Sequence, residues 1–302
     1  MTGILFTGQG SQFPGMGASL LELYPAGKQI FEAGSDMLGF DLHKLCMEGD
    51  AATLGETRYA QPAIYATSLL CLEAAKQRGL TFDAVGGHSL GEYAAMTAAG
   101  MLTVEDGFRA LRCRAQAMDD AAKAQDSGMY AVLRLTPAQI EAVCAETEGY
   151  VVPVNYNSPG QTVIAGDRTA VDAAAKACAA LGGRTVALAV AAAFHSKLMQ
   201  PAADAMLAGL ADIPFHAPDC AFYANLTGDR LAADADLPAY CAAHCVNPVR
   251  FTDELLAMQR DGITTFVELG PKRVLTGFVK QTLPEANAFA VTDAKSLQEA
   301  VF

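Results

Sequence analysis

Val85-Gly86-Gly87-His88-Ser89-Leu90-Gly91-Glu92-Tyr93-Ala94-Ala95 passes from an apolar run into an alanine-rich helical pattern, with Gly87 and Gly91 bracketing Ser89. A chain that turns from strand to helix in so short an arc leaves no room for side chains two residues either side of the apex. That is the physical content of G-x-S-x-G. The apex residue is forced into strained backbone angles. Its hydroxyl is exposed, and the following N–H groups, at a helix N-terminus, are free to face a developing oxyanion. A glycine-bracketed turn with an inert serine is the alternative, because G-x-S-x-G recurs by chance in long chains. The strand before and the helix after favour a nucleophile.

Strands and helices alternate around this turn. Gly3 to Thr7 reads as a buried strand, Ala18 to Tyr24 as the start of a helix, and Gln61 to Arg78 as a helix with Ile64, Leu69, Leu70 and Leu72 at helical spacing. Thr81 to Gly86 is the strand entering the turn, and Leu90 to Ala99 the helix leaving it, stopped by Gly100. This alternation predicts an α/β domain with a largely parallel sheet. The rhythm then changes. Met129 to Leu135 is a strand, Pro137 to Glu148 a helix with Thr136 as its N-cap, and Val151 to Tyr156 and Gln161 to Gly166 are strands joined by a turn. Thr169 to Leu181 is a helix and Arg184 to Val190 a last strand. The order βαββαβ is ferredoxin-like, and it predicts a compact insertion over residues 126–193 beside the large domain.

The chain has 302 residues, enough for one large domain or two smaller ones, and 52% of them are apolar. No apolar run approaches the roughly 20 residues of a membrane span; the longest is Val186 to Phe194. The first residues lack a basic n-region and pass directly into a glycine loop, so no signal peptide is expected. Eight cysteines without C-x-x-C pairs fit a reducing, cytoplasmic setting. Cys241, His244 and Cys245 resemble half a metal site, but no second cluster completes it, so no metal is expected. A net charge of −12 argues against nucleic acid and against an anionic membrane surface as partners.

A serine nucleophile needs a base. Spacing alone selects none of His43, His88, His195, His216 and His244, although His195 follows the apolar run at an expected strand-to-loop exit, where sheet enzymes place functional groups. Gly8-Gln9-Gly10 lacks the third glycine of a dinucleotide loop, having Phe13 in its place, and no G-K-[ST] follows. Arg114, by itself, reads as a solvated arginine on an exposed helix face, the usual fate of a basic residue.

Gly87 to Ala95 resembles the nucleophile segment of malonyl-CoA:acyl-carrier-protein transacylases and of polyketide synthase acyltransferase domains. The resemblance covers nearly the whole chain, through Phe6-Thr7-Gly8-Gln9-Gly10-Ser11-Gln12, Gln61-Pro62-Ala63, Asn155-Tyr156-Asn157-Ser158-Pro159-Gly160-Gln161, Phe194-His195-Ser196, Asn247-Pro248-Val249 and Glu268-Leu269-Gly270-Pro271. Six motifs in the family's order are a specific signal. The resemblance implies an α/β-hydrolase-like catalytic domain (1–125 and 194–302) with an inserted ferredoxin-like small domain (126–193) and a cleft between them. It implies malonyl transfer from malonyl-CoA to the phosphopantetheine thiol of an acidic acyl carrier protein, with no cofactor beyond these substrates. Ser89 and His195 are the implied dyad, and Gln9 and the Leu90 N–H the oxyanion donors. Arg114 is implied to grip the malonyl carboxylate, since a planar guanidinium suits a bidentate contact. Phe194 goes with malonyl rather than α-methylated substrates, Gln61 and Asn157 line the cleft, and the main chain at Arg250 orients the imidazole.

An α/β-hydrolase esterase or thioesterase would share the turn. It would need an oxyanion motif such as His-Gly-Gly-Gly, which is absent, and would give Arg114 no task. A non-catalytic carrier-docking subunit would not need Ser89, His195 and Gln9.

Overall fold

The computed structural model describes residues 1–190 and 192–302; Ala191, inside the apolar run 186–194, lies outside the described residues. The larger sheet is built on β1 (Thr2–Phe6), in which Ile4, Leu5 and Phe6 are fully buried. A strand apolar on both faces suits a parallel sheet covered by helices on each side. β1 lies between β2 (Ala84–Gly87) and β9 (Thr265–Leu269), parallel to both. β7 (Ala221–Ala224) extends the sheet beyond β2, and β10 (Asn287–Val291) beyond β9, again parallel. β8 (Asp229–Arg230) closes one edge antiparallel to β7. The carboxyl ends of β1, β2 and β9 therefore share one edge, where parallel sheets place their sites.

At that edge the glycines of the turn are required by contact. A Cβ on Gly87 would collide with the Gly91 main chain, and one on Gly91 with the Phe6 carbonyl at the end of β1. The helix Gly91–Ala98 starts in direct contact with the neighbouring strand.

The second sheet is inserted after the helix Val104–Lys123. It comprises β3 (Ser127–Leu133), β4 (Val151–Ser158), β5 (Gln161–Asp167) and β6 (Arg184–Ala187), in the order β4-β5-β3-β6 with every pairing antiparallel. The helices Pro137–Glu146 and Arg168–Ala180 pack on it through Ile140, Val143, Val171 and Ala174, against Val132 and Ile164. Thr136 caps the first of these helices in a reciprocal box with Gln139. This is the ferredoxin-like arrangement expected from the βαββαβ order.

Three local expectations change. β6 ends at Ala187 rather than Val190: it is an edge strand paired to β3 alone, and after Leu188 donates to Met129 O the chain leaves the sheet. The helix expected from Gln61 begins at Thr57, so Pro62 lies inside it, past the first turn, where its ring leaves the Arg58 carbonyl without its i+4 donor. Lys28–Leu38 and Leu42–Glu48 are helices that the sequence reading did not contain.

The sheets are tied together beside the turn. A parallel bridge pairs Asn155 with Val249, and Tyr156 N donates to Val249 O at 2.9 Å while Val249 N donates to Val154 O at 2.8 Å. A cavity of about 210 Å³ lies between them, lined among others by Gln9, His88, Asn155, Asn157, Gln161 and Phe278. Among the described residues no helix is long and apolar enough to cross a membrane.

Because the Gly91 Cβ would meet rigid main chain rather than a movable side chain, Gly91→Ala should lose about 3 kcal/mol of stability, the upper end of ordinary overpacking. Urea denaturation monitored by circular dichroism checks this; an unchanged midpoint would mean the turn is not held against β1.

Candidate active site

Ser89 sits at the end of β2 with φ 55°, in the left-handed region that side chains disfavour. The strain read from the sequence is present. Its N–H donates to Asn225 Oδ1 at 2.7 Å, so the turn is held by a side chain from beyond β7. Ser89 Oγ lies 2.8 Å from His195 Nε2. His195 also has a positive φ, 61°, and is buried. It stands eight residues beyond the end of β6, so it reaches the site from a turn ahead of the short 3-10 helix Lys197–Met199 and not from a strand exit.

His195 Nδ1 lies 2.9 Å from the carbonyl oxygen of His244. A carbonyl can only accept, so Nδ1 carries the proton and Nε2 presents its lone pair to the serine hydroxyl. The assignment of this carbonyl to Arg250 is corrected. The Arg250 carbonyl accepts from Glu254 N at 3.0 Å, in the first turn of the helix Phe251–Arg260, and its N–H goes to Asn225 O. His244 ends the helix Leu237–His244, where a carbonyl lacks a main-chain donor and is open to an imidazole.

Arg114 comes from the helix Val104–Lys123 and is 1% exposed. Its Nη2 donates to Ser89 Oγ at 3.0 Å, and its guanidinium stands 5.7 Å from the Tyr93 ring centroid. Among the described residues no carboxylate pairs with it, and its Nε has no partner. A buried cation without a counter-ion is costly and marks a place for an anion. Arg112 is exposed on the other face and donates to Met37 O.

Among the described residues the Leu90 N–H has no acceptor, so it is available to an oxyanion. Gln9 donates through Nε2 to Thr57 Oγ1 at 3.2 Å, and its Oε1 accepts from Gln61 Nε2 at 3.4 Å. Gln61 is fully buried and also approaches Met118 Sδ at 3.5 Å, so it backs Gln9 rather than lining the cavity. Asn157 lines the cavity, and its Oδ1 accepts from His88 Nε2 at 2.7 Å. Phe194 is buried immediately before His195.

A model of the acyl transferase domain matches residues 4–298. The chain belongs to this family. It is 37% identical over 301 residues to a malonyl CoA-acyl carrier protein transacylase of Bacillus subtilis strain 168, an alignment covering 98% of this chain and 95% of the relative. The Clostridium perfringens transacylase structure superposes with a TM-score of 0.94 at 34% identity, over 99% of this chain and 95% of that one. A type II polyketide acyl-carrier protein in complex with its malonyl-transacylase matches with a TM-score of 0.95 at 35% identity, over 99% and 98% of the two chains.

Around Ser89 and His195 of this acyl transferase lies a buried polar cluster that the sequence motifs do not assemble. Asn225 donates from Nδ2 to Gly87 O and to Glu254 Oε2, and its N–H donates to Glu92 Oε1 at 2.7 Å. Glu92 lies within the quoted turn and His244 within the discounted metal pattern, yet neither has a sequence signature for this role. Desolvation and the neighbouring Glu92 push the Glu254 carboxyl well above the ordinary carboxylate range. Among the described residues no group of three His, Cys, Asp or Glu is placed to hold a metal, and all eight cysteines are free.

Burial, with His244 and Arg114 nearby, holds His195 well below its ordinary pKa. The folded protein therefore keeps it neutral where the unfolded chain, at about 6.5, takes up a proton. Below pH 6.5 the unfolded state binds more protons, so stability should fall as pH falls toward the folded value. His195→Gln should flatten that slope, by at most about 1.4 kcal/mol per pH unit. Urea titrations between pH 7.5 and 5 of both proteins test it; parallel slopes would mean His195 is not buried neutral.

Proposed function

We propose that this acyl transferase moves a malonyl group from malonyl-CoA to the phosphopantetheine thiol of an acyl carrier protein through an ester on Ser89. The observation that carries the reading is Arg114: a buried guanidinium with no counter-ion among the described residues, 3.0 Å from the nucleophilic oxygen. An acyl group on Ser89 extends past that guanidinium, and a terminal carboxylate would complete the missing pair.

The steps follow from the proton positions. Ser89 Oγ attacks the thioester carbonyl as its proton passes to His195 Nε2, and the carbonyl electrons move onto oxygen, facing the Leu90 N–H and Gln9. Collapse expels the coenzyme A sulfur, which takes the proton from His195, and leaves malonyl-Ser89. The carrier thiol then repeats the sequence in reverse, giving its proton to His195, and Ser89 recovers it. Neither half requires a metal or a cofactor. The cavity between the two sheets reaches His88, next to the nucleophile, and is the route by which the pantetheine arm of either substrate would approach. Phe194 beside the base narrows the acyl site toward an unbranched malonyl group. The units that act here are 1–125 with 194–302 as the catalytic body and 126–193 as the inserted wall of the cleft, in a cytoplasmic enzyme.

Intact mass after mixing with malonyl-CoA tests the mechanism. The parent protein should gain a malonyl adduct and Ser89→Ala none; an adduct on Ser89→Ala would overturn it. Arg114→Ala should lose about 2–5 kcal/mol in malonyl-CoA kcat/KM, the cost of truncating a desolvated charge pair, with acetyl-CoA use little changed. Equal losses with both donors would make Arg114 structural.

Docking of an acidic carrier to a chain of net charge −12 requires local basic complementarity. Lys272 is already engaged, donating to Gly10 O at 3.0 Å, and Lys197 stacks on the Tyr150 ring at 4.1 Å. Arg273 and Lys280 are exposed beside the cavity-lining Val274, Leu275 and Phe278. The double variant Arg273→Glu with Lys280→Glu should raise the carrier KM several-fold and leave malonyl loading unchanged; an unaltered carrier KM places docking elsewhere.

A further inference from the structure

We propose that Glu92 is the positioning residue of the dyad, its carboxylate setting both members at once without touching either; its main-chain N–H alone meets the serine, donating to Ser89 O at 3.1 Å. Its carboxylate is 1% exposed and takes three hydrogen bonds. Oε1 accepts from Tyr240 Oη at 2.6 Å and from Asn225 N at 2.7 Å, and Oε2 lies 2.9 Å from His244 Nδ1.

Tyr240 and His244 are one turn apart on the helix Leu237–His244, so Glu92 grips the end of that helix at two side chains. That end carries the carbonyl that holds His195 Nδ1. In the other direction, Glu92 lies in the first turn of the helix that starts just after Ser89. Through the Asn225 main chain it fixes the residue whose side chain takes the Ser89 N–H. One carboxylate therefore links the support of the base to the support of the nucleophile. A shift of about 1 Å between two such groups can cost 10²-fold in rate. A carboxyl buried only for packing would be replaceable by an apolar side chain of similar volume at little cost. This one instead sits where its two oxygens reach opposite sides of the dyad.

The inference rests on the Ser89–His195 reading, and its test separates the two. Single-turnover loading by malonyl-CoA, followed by intact mass, yields a rate constant for the active fraction and an amplitude that reports how much protein is folded. Glu92→Gln keeps shape and replaces one oxygen with an amide. His244→Asn keeps the carbonyl and removes the imidazole that Glu92 holds. Each should slow loading about 10- to 100-fold, with amplitude and malonyl-CoA KM near the parent values. The double variant should be little slower than either single one, because both cut the same route. A parent-like rate constant in either variant, a loss confined to amplitude, or multiplying losses in the double variant would overturn the proposal. If Glu92→Gln fails to fold, the His244→Asn rate constant decides by the same criterion. Adduct formation by Ser89→Ala would instead overturn the dyad reading itself.

Discussion

The active end of this protein depends on the side chain of Asn225. Its amide oxygen takes the Ser89 N–H, and its amide nitrogen gives to Gly87 O and Glu254. A residue with positive φ persists only when its surroundings over-determine it, and here a single planar group bridges the main chain on both sides of the turn. Its own N–H is held by Glu92. The upward push on the Glu254 carboxyl belongs to the same arrangement, because it is buried and Glu92 is bonded to the same residue, Asn225.

Electrostatics at the acyl end are left incomplete by the protein. Arg114 places a positive charge beside Ser89 Oγ with no carboxylate paired to it among the described residues, and that charge adds to burial and His244 in holding the His195 pKa down. On the proposed mechanism, substrate choice and the state of the base share one cation: an incoming carboxylate would neutralise it and ease protonation of His195, and a donor that brings no negative charge would leave that help unused.

Much of this was legible in the chain because its signals are local. The glycines at 87 and 91 announce a steric requirement, and the structure places backbone where their side chains would be. Thr136, Pro137 and Gln139 mark a helix start with their own hydrogen bonds, and the order of elements between β3 and β6 suffices for the second sheet. What stayed hidden acts across the fold. A main-chain carbonyl has no residue type, so the partner of His195 could not be read from a motif, and its place at His244 rather than Arg250 depends on where a helix ends. Asn225 is a lone amide in a loop, joined to Ser89 across 136 positions. β6 stops pairing at Ala187 although its neighbour β3 extends on to Ser127, and Arg184 to Val190 looks like strand material throughout.

Ser89 and His195 both occupy the left-handed region, at φ 55° and 61°. For residues bearing a Cβ that conformation costs roughly 1–2 kcal/mol each, and glycine adopts it freely. The backbone at the two reacting positions is thus better suited to a residue that can do no chemistry. On the proposed mechanism, exchange to glycine at either position would relieve strain and remove a reacting side chain with it, so fold stability and turnover pull these two positions in opposite directions.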